Sequence, residues 1–273
     1  MNKDKLQNIL CVILPIVFIG VLAAGLFKGK SDKKELTKLK NQYEASINTS
    51  AKPEEGLKEE ETDSSSEEKV EEVFNFEEKS ILFLGDGVSV DGKYQGIAAE
   101  QLKLKNYING AKGGLMLGEM DDEVSAESLK EIDIVVILGG TNDYSKGKAL
   151  GTISDNYEAD TFYGNIQGII DNLKAMKAGL EIVFLTPLKH GYLEGQPSYP
   201  NTNYNGDHLD DYVNAIIEVC KKNDVKFIDM FKESGIDENN VGEYTLNNII
   251  LNEAGHNLVG SSIAKNLKGL FQK

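Results

Sequence analysis

The strongest constraint on the fold is an alternation of short apolar runs with longer helical stretches, which begins near residue 79. Runs of four or five consecutive apolar residues are typical of strands that are buried on both faces. The predicted strands are 81–84, a weaker run at 107–109, 134–138, 182–185 and 226–229. Apolar residues at helical spacing predict helices over 162–176, 208–222 and 253–271. This alternation predicts an α/β fold with parallel strands, in one domain over residues 79–273.

The loops that follow the predicted strands share a composition. They are rich in Gly, Asn, Asp or Thr, and they are 85–89, 109–114, 139–143 and 186–190. Parallel strands end at the same edge of a sheet, and ligands of such sheets bind outside that edge. We therefore expect these loops to converge on one pocket.

Residues 9–27 form an apolar segment of 19 residues without a charge. At about 1.5 Å per helical residue, this length roughly matches the ~30 Å hydrocarbon layer of a bilayer. We predict a single-pass transmembrane anchor at 9–27 after a short flank at 1–8, and a cleaved signal peptide is the alternative.

The region after this anchor changes in charge. Residues 28–48 are predicted to form a basic, amphipathic stalk, and residues 49–78 an acidic, disordered linker with few large apolar groups. More lysines follow the anchor than precede it, and the positive-inside rule applied to this count places the following domain in the cytoplasm. A long acidic spacer favours a domain held away from the cell surface, and we predict an extracytoplasmic location.

The composition excludes several classes of function. The net charge is −15 and all 29 basic residues are lysines, which argues against a nucleic-acid partner. The two cysteines, Cys11 and Cys220, lie far apart in the sequence, and Cys11 belongs to the apolar segment 9–27. We therefore predict no disulfide between them. Three scattered histidines give no metal-ligand spacing, and no nucleotide-binding motif is present, so we predict neither a metal nor a cofactor. The oligomeric state stays open.

Four segments resemble motifs of the SGNH/GDSL hydrolase superfamily, in the order and approximate spacing of that superfamily. They are ILFLGDG at 81–87, GGTNDY at 139–144, VFLTPL at 183–188 and NNIILNEAGH at 247–256. The resemblance implies a three-layer, flavodoxin-like fold with a five-stranded parallel sheet. It also implies kinship with esterases, lipases and acetylhydrolases that act on lipids or carbohydrates.

The resemblance assigns catalytic roles to three positions that carry the wrong residue. Gly87 stands where the superfamily has its nucleophilic serine, Asn247 where it has the triad aspartate, and Ile250 where it has the triad histidine. An aliphatic side chain can neither accept nor return a proton. The oxyanion-hole positions are retained, because Asn142 and Gly114 match the superfamily amide and glycine, and Asp86 is retained in the turn.

These substitutions predict a catalytically impaired pseudoenzyme that binds a cell-wall or surface glycan, or an acyl ester, without efficient turnover. Two alternatives stay open. One is an active esterase or carbohydrate deacetylase with a displaced nucleophile, for which Ser89 is the nearest candidate. The other is a scaffold that retains the fold only for binding a protein partner.

A long loop after the fourth predicted strand interleaves tyrosines with Asn, Gly and Pro. Its candidate substrate contacts are His190, Tyr192, Tyr199 and Tyr204. Tyrosine rings stack on sugar faces and amides bind hydroxyl groups, so the loop suits a carbohydrate platform. An ordinary loop whose tyrosines cover the sheet edge is the alternative.

Overall fold

The computed structural model of the protein describes residues 74–272. The strands are β1 Ser80–Gly85, β2 Asn106–Asn109, β3 Ile134–Leu138, β4 Glu181–Leu185 and β5 Lys226–Ile228. The helices are α1 Lys93–Leu102, α2 Thr141–Ser145, α3 Phe162–Met176, α4 Leu209–Lys222, α5 Met230–Glu233, α6 Val241–Tyr244 and α7 Glu253–Phe271. Short 3₁₀ turns occupy Phe76–Glu78, Leu117–Glu119 and Tyr157–Ala159.

The five strands form one parallel sheet in the order β2-β1-β3-β4-β5. This is the doubly wound, flavodoxin-like order, in which the chain reverses direction across the sheet between β1 and β3. Ligands of such sheets bind in the crevice outside the carboxyl ends of those two strands. The predicted α/β fold with a five-stranded parallel sheet is therefore confirmed.

The sheet carries a separate apolar core on each face, which makes the domain three-layered. Side chains at alternate strand positions point to opposite faces, so Leu82 and Leu84 pack with α3 and α4. Ile81 and Phe83 pack on the other face with α1 and α7. The central strands β1 and β3 are buried along their whole length, which explains their continuous apolar sequence.

The domain begins before the predicted boundary. Residues 74–78 were assigned to the acidic linker, but Phe76 is buried and Phe74 stacks on Phe271 with ring centroids 4.4 Å apart. Lys226, at the start of β5, lies with its Nζ 4.7 Å from the Phe271 ring centroid. This aromatic clasp of Phe74, Phe76 and Phe271 ties the entry of the domain to the end of α7.

The predicted membrane anchor at 9–27, its stalk and most of the linker lie outside the described residues. Within residues 74–272, no helix combines the length and the apolar character that a membrane crossing needs.

Candidate functional site

A pocket of about 160 Å³ opens where β1 and β3 end. Its lining combines backbone and amide donors with aliphatic side chains. The lining residues are Asp86, Gly87, Val88, Gly114, Thr141, Asn142, Leu193, Gln196, Asn247, Ile249 and Ile250. Three of the four predicted loops contribute to it. The other lining residues come from 193–196, just beyond the predicted loop at 186–190, and from 247–250.

The three positions that the resemblance assigns to the catalytic triad, Gly87, Asn247 and Ile250, line this pocket together. A Cβ atom built on Gly87 would lie 3.8 Å from Cδ1 of Ile250, which is ordinary van der Waals contact. Gly87 and Ile250 thus face each other as a nucleophile and its general base would, although neither side chain carries an oxygen or a nitrogen. Asn247 lines the same pocket.

The side chain of Asn247 supports the turn that carries Ile250. Its Oδ1 accepts hydrogen bonds from the backbone N–H of Ile250 at 2.8 Å and of Ile249 at 3.3 Å. Asn248 adopts a left-handed conformation with φ of 67°, which Asn tolerates better than most residues. The turn is therefore built by its own asparagines and presents Ile249 and Ile250 to the pocket.

The opposite wall of the pocket is a loop held by helix α2. Asn142 Nδ2 donates to the Leu115 carbonyl at 2.9 Å, and Lys146 Nζ donates to the Gly114 carbonyl at 2.7 Å. The Asp143 carboxylate accepts from the Leu117 N–H at 2.9 Å. Three side chains of one short helical segment thus fix the loop that carries Gly114.

Two residues on different sides of the pocket, Gly87 and Gly114, have backbone amides without a hydrogen-bond partner among the described residues. The Asn142 amide also borders the pocket, and its second contact is a long one, 3.4 Å from Nδ2 to Asp86 Oδ2. Backbone and amide donors of this kind can bind a carbonyl oxygen or an oxyanion.

Two buried carboxylates lie beneath the donor set. Burial raises the pKa of Asp86 from 3.8 to about 6, against the opposing effect of the hydrogen bond from the Val88 N–H. Burial also raises the pKa of Asp143 to about 7, and the nearby charge of Asp86 adds to the rise. Oδ1 of Asp143 is buried without a hydrogen-bond partner, so its ionised form is poorly compensated.

Ser89 does not reach the pocket. Its side chain is fully buried, and its hydroxyl lies 2.8 Å from the hydroxyl of Tyr94. A substrate carbonyl cannot approach an oxygen enclosed in this way, because the end of β1 at Gly85 lies against it. The geometry therefore counts against a displaced nucleophile at this position.

The four candidate residues of the long loop separate into two groups. His190 is buried beside Tyr144, with burial lowering its pKa, and Tyr199 packs edge-on against Phe231 at a centroid distance of 5.1 Å. Tyr192 and Tyr204 are instead 66% and 74% exposed. Only this second pair is available to a ligand on the surface.

Several lining residues were not predicted as site residues: Val88, Thr141, Leu193, Gln196 and Ile249. Val88 directly follows Gly87 and Thr141 directly precedes Asn142, so their place in the predicted strand-end loops was a usable signal. Leu193 and Gln196 reach the pocket only through the path of a long loop, which no local pattern encodes. Within residues 74–272, no cluster of three His, Cys, Asp or Glu side chains could hold a metal ion.

The sheet order and the pocket at the β1/β3 end are those that the resemblance to the SGNH/GDSL hydrolase superfamily implies. A family model described as GDSL-like lipase/acylhydrolase matches residues 80–258. The chain belongs to this GDSL-like lipase/acylhydrolase family.

Solved structures share the fold at low sequence identity. A protein from Lactobacillus plantarum is 20% identical, with 71% of this chain and 98% of that chain covered and a TM-score of 0.64. A possible lipase from Chitinophaga pinensis is 17% identical, with 71% and 99% covered and a TM-score of 0.58. An acetyl xylan esterase is 23% identical, with 69% and 99% covered and a TM-score of 0.51. No curated protein matches the chain in sequence.

Proposed function

We propose that this protein is a catalytically impaired member of its family, which binds an acylated, neutral glycan of the cell surface and does not hydrolyse it efficiently. The observation that carries the proposal is the meeting of Gly87, Asn247 and Ile250 in a pocket that keeps Gly114 and Asn142. Hydrolases of this kind need a nucleophilic oxygen and a proton acceptor beside it. Gly87 has no side-chain oxygen to act as the nucleophile, and Ile250 has no atom that can accept a proton.

The two walls of the pocket suit an acyl group. A carbonyl oxygen can accept hydrogen bonds from the Gly87 and Gly114 amides, and the methyl end of a short acyl group can contact Ile249 and Ile250. Without a nucleophile, this arrangement retains the ester instead of cleaving it. Binding through the oxyanion hole alone leaves ~10³–10⁴-fold acceleration over water in a serine hydrolase, far below that of an intact triad.

The charge of the site favours a neutral ligand. The chain has no arginine to bind a carboxylate or a phosphate in a bidentate manner, and Asp86 stands at the base of the pocket. Hydroxyl groups can instead bind the Gln196 and Asn247 amides on the rim.

Catalytic impairment is tested with the full-length chain in detergent and p-nitrophenyl acetate. We expect no hydrolysis above the buffer rate and no labelling by a fluorophosphonate probe. Robust hydrolysis that is lost in Asn142→Ala would overturn the proposal.

Ligand binding is tested with tri-N-acetylchitotriose, whose acyl groups are amides and therefore resist hydrolysis, and with cellotriose as the acyl-free control. We expect the acetylated sugar to bind, and Asn142→Ala to weaken its affinity about tenfold, or ~1.4 kcal/mol. Asn257→Ala, on an exposed face of α7, is the matched control and should bind like the wild type. Equal affinity for cellotriose would contradict an acyl-binding pocket.

We also propose that segment 9–27 anchors the protein in the membrane with the domain on the outer side. The 19 uncharged residues support an anchor, and the acidic spacer supports an extended tether. Protease added to intact cells should remove the domain. Protection until the cells are lysed would place the domain in the cytoplasm.

A further inference from the structure

The pocket is flanked by two exposed tyrosines that no catalytic role in the family requires. Tyr192 directly precedes the lining residue Leu193, and the Tyr204 hydroxyl donates to the Gly195 carbonyl at 3.1 Å, next to the lining residue Gln196. The two rings therefore belong to the two ends of the pocket-lining segment 193–196. Large aromatic rings left this exposed beside a pocket are typical of binding surfaces.

The backbone around these rings is firmly held. Asn248 Nδ2 donates to the Tyr192 carbonyl at 2.8 Å, which joins this loop to the turn of Ile250. On the other side, the Tyr144 hydroxyl donates to the Asn201 carbonyl at 2.7 Å. The Asn203 side chain accepts from the Asn205 N–H at 2.9 Å, which braces the turn around Tyr204. The rings thus stand on a braced loop and lose little further backbone freedom when a ligand binds.

The chemistry around the rings separates a sugar from other ligands. Exposed Glu194 lies between the two tyrosines in sequence and disfavours an anionic chain. The exposed amides of Asn201 and Gln196 offer both donors and acceptors to hydroxyl groups. Asn205, whose Nδ2 donates to the Gly147 carbonyl at 2.6 Å, adds an acceptor. A flat ring surface combined with amides fits a neutral, equatorially linked polysaccharide better than it fits a bare acyl chain.

Resting on the function proposed above, we infer that Tyr192 and Tyr204 form a stacking platform beside the pocket for the sugar units next to the acylated one. The ligand is then a polysaccharide of at least three units that extends from the pocket over the two rings, and not a single acylated sugar or a lipid. The pocket recognises the acyl group, and the platform recognises the length of the chain.

The test is a length series with the full-length protein: N-acetylglucosamine, tri-N-acetylchitotriose and hexa-N-acetylchitohexaose. We expect the trimer to bind at least about tenfold more tightly than the monomer. Tyr192→Ala and Tyr204→Ala should each weaken trimer binding about fivefold and leave monomer binding unchanged. Tyr192→Phe, which keeps the ring, is the matched control and should retain trimer affinity.

Other outcomes overturn the inference in distinguishable ways. Equal affinity for monomer and trimer, with binding still sensitive to Asn142→Ala, removes the platform and leaves the acyl pocket. A loss of monomer binding in both tyrosine variants shows that the rings support the pocket itself and do not extend it. No binding of any of the three sugars overturns both the platform and the proposed glycan ligand.

Discussion

Cδ1 of Ile250 lies 3.8 Å from the position that a Cβ atom on Gly87 would occupy. The contact shows that the two positions still face each other across the pocket, as a nucleophile and a base would. On the function proposed above, the substitutions remove the nucleophile and the base but leave the space between the two positions open. The proposed loss of catalysis should then be reversible by substitution.

The first prediction concerns this reversal. The triple change Gly87→Ser, Asn247→Asp and Ile250→His should produce measurable esterase activity on p-nitrophenyl acetate, because a side chain at Gly87 meets only an ordinary contact. Gly87→Ser alone should remain inactive, since no base would face the hydroxyl. A triple variant that folds and is still inactive would show that catalysis needs other groups that this pocket does not have.

A second prediction concerns pH. Because burial raises the pKa of Asp86 and Asp143, the folded protein keeps protons that the unfolded chain has released between about pH 4 and pH 7. These two groups therefore lower the free energy of unfolding as the pH rises through that interval.

The substitution Asp143→Asn removes the carboxyl group whose pKa is raised further, and with it the larger part of this dependence of stability on pH. The stability of the variant relative to the wild type should rise by on the order of 3 kcal/mol between pH 5 and pH 8, as measured by urea unfolding. Glu100→Gln, an exposed carboxylate on α1, is the control. Parallel curves for the Asp143 variant and the wild type would contradict the buried, protonated carboxyl group.

Lys146 is expected to hold the Gly114 loop of the pocket in place without contacting the ligand carbonyl. Lys146→Ala removes the hydrogen bond to the Gly114 carbonyl, and we expect affinity for tri-N-acetylchitotriose to fall about fivefold, or ~1 kcal/mol. The melting temperature should change little, because the side chain is exposed. Lys112→Ala removes another exposed lysine, which pairs with Glu123, and should leave binding unchanged. Equal losses in both variants would point to net charge as the cause.

Ser89 supplies a prediction that separates a structural role from a catalytic one. Ser89→Ala breaks its buried hydrogen bond with Tyr94 and should lower the free energy of unfolding by about 1–2 kcal/mol. It should leave fluorophosphonate labelling and the esterase activity of the triple variant unchanged. Loss of that activity in a stably folded Ser89→Ala protein would restore Ser89 as a nucleophile candidate. Tyr94→Phe provides the partner arm of a double-mutant cycle.

The sequence predicted the sheet well because its central strands β1, β3 and β4 are buried on both faces. The run 134–138 coincides with β3, and the predicted helices 162–176 and 253–271 coincide with α3 and α7. Helix α1 was not predicted, since only Tyr94 and Leu102 of its buried residues are large and apolar, and Gln95, Ala98 and Ala99 between them give a weak apolar period. Its start also lacks a side-chain cap, because Gly92 occupies that position.

The site was predictable only where it follows a strand. Asp86 and Gly87 lie within two residues of the end of β1, and Asn142 lies four residues after the end of β3. Their convergence therefore follows from the parallel sheet. The roles of Leu193 and Lys146 depend on where a long loop and a helix end lie in space, which no spacing in the chain encodes. Ser89 shows the reverse case, because two residues along a turn were enough to move a hydroxyl from the pocket into the core.

The aromatic clasp of Phe74, Phe76 and Phe271 has a mechanical consequence. It lies where β1 and β5 begin, whereas the pocket lies where β1 and β3 end. A load applied through the chain before Phe74 would enter the sheet at the edge remote from the ligand. The clasp and the pocket mouth therefore lie at opposite ends of the strands, and a ligand at the pocket would not compete with Phe74 for the same surface.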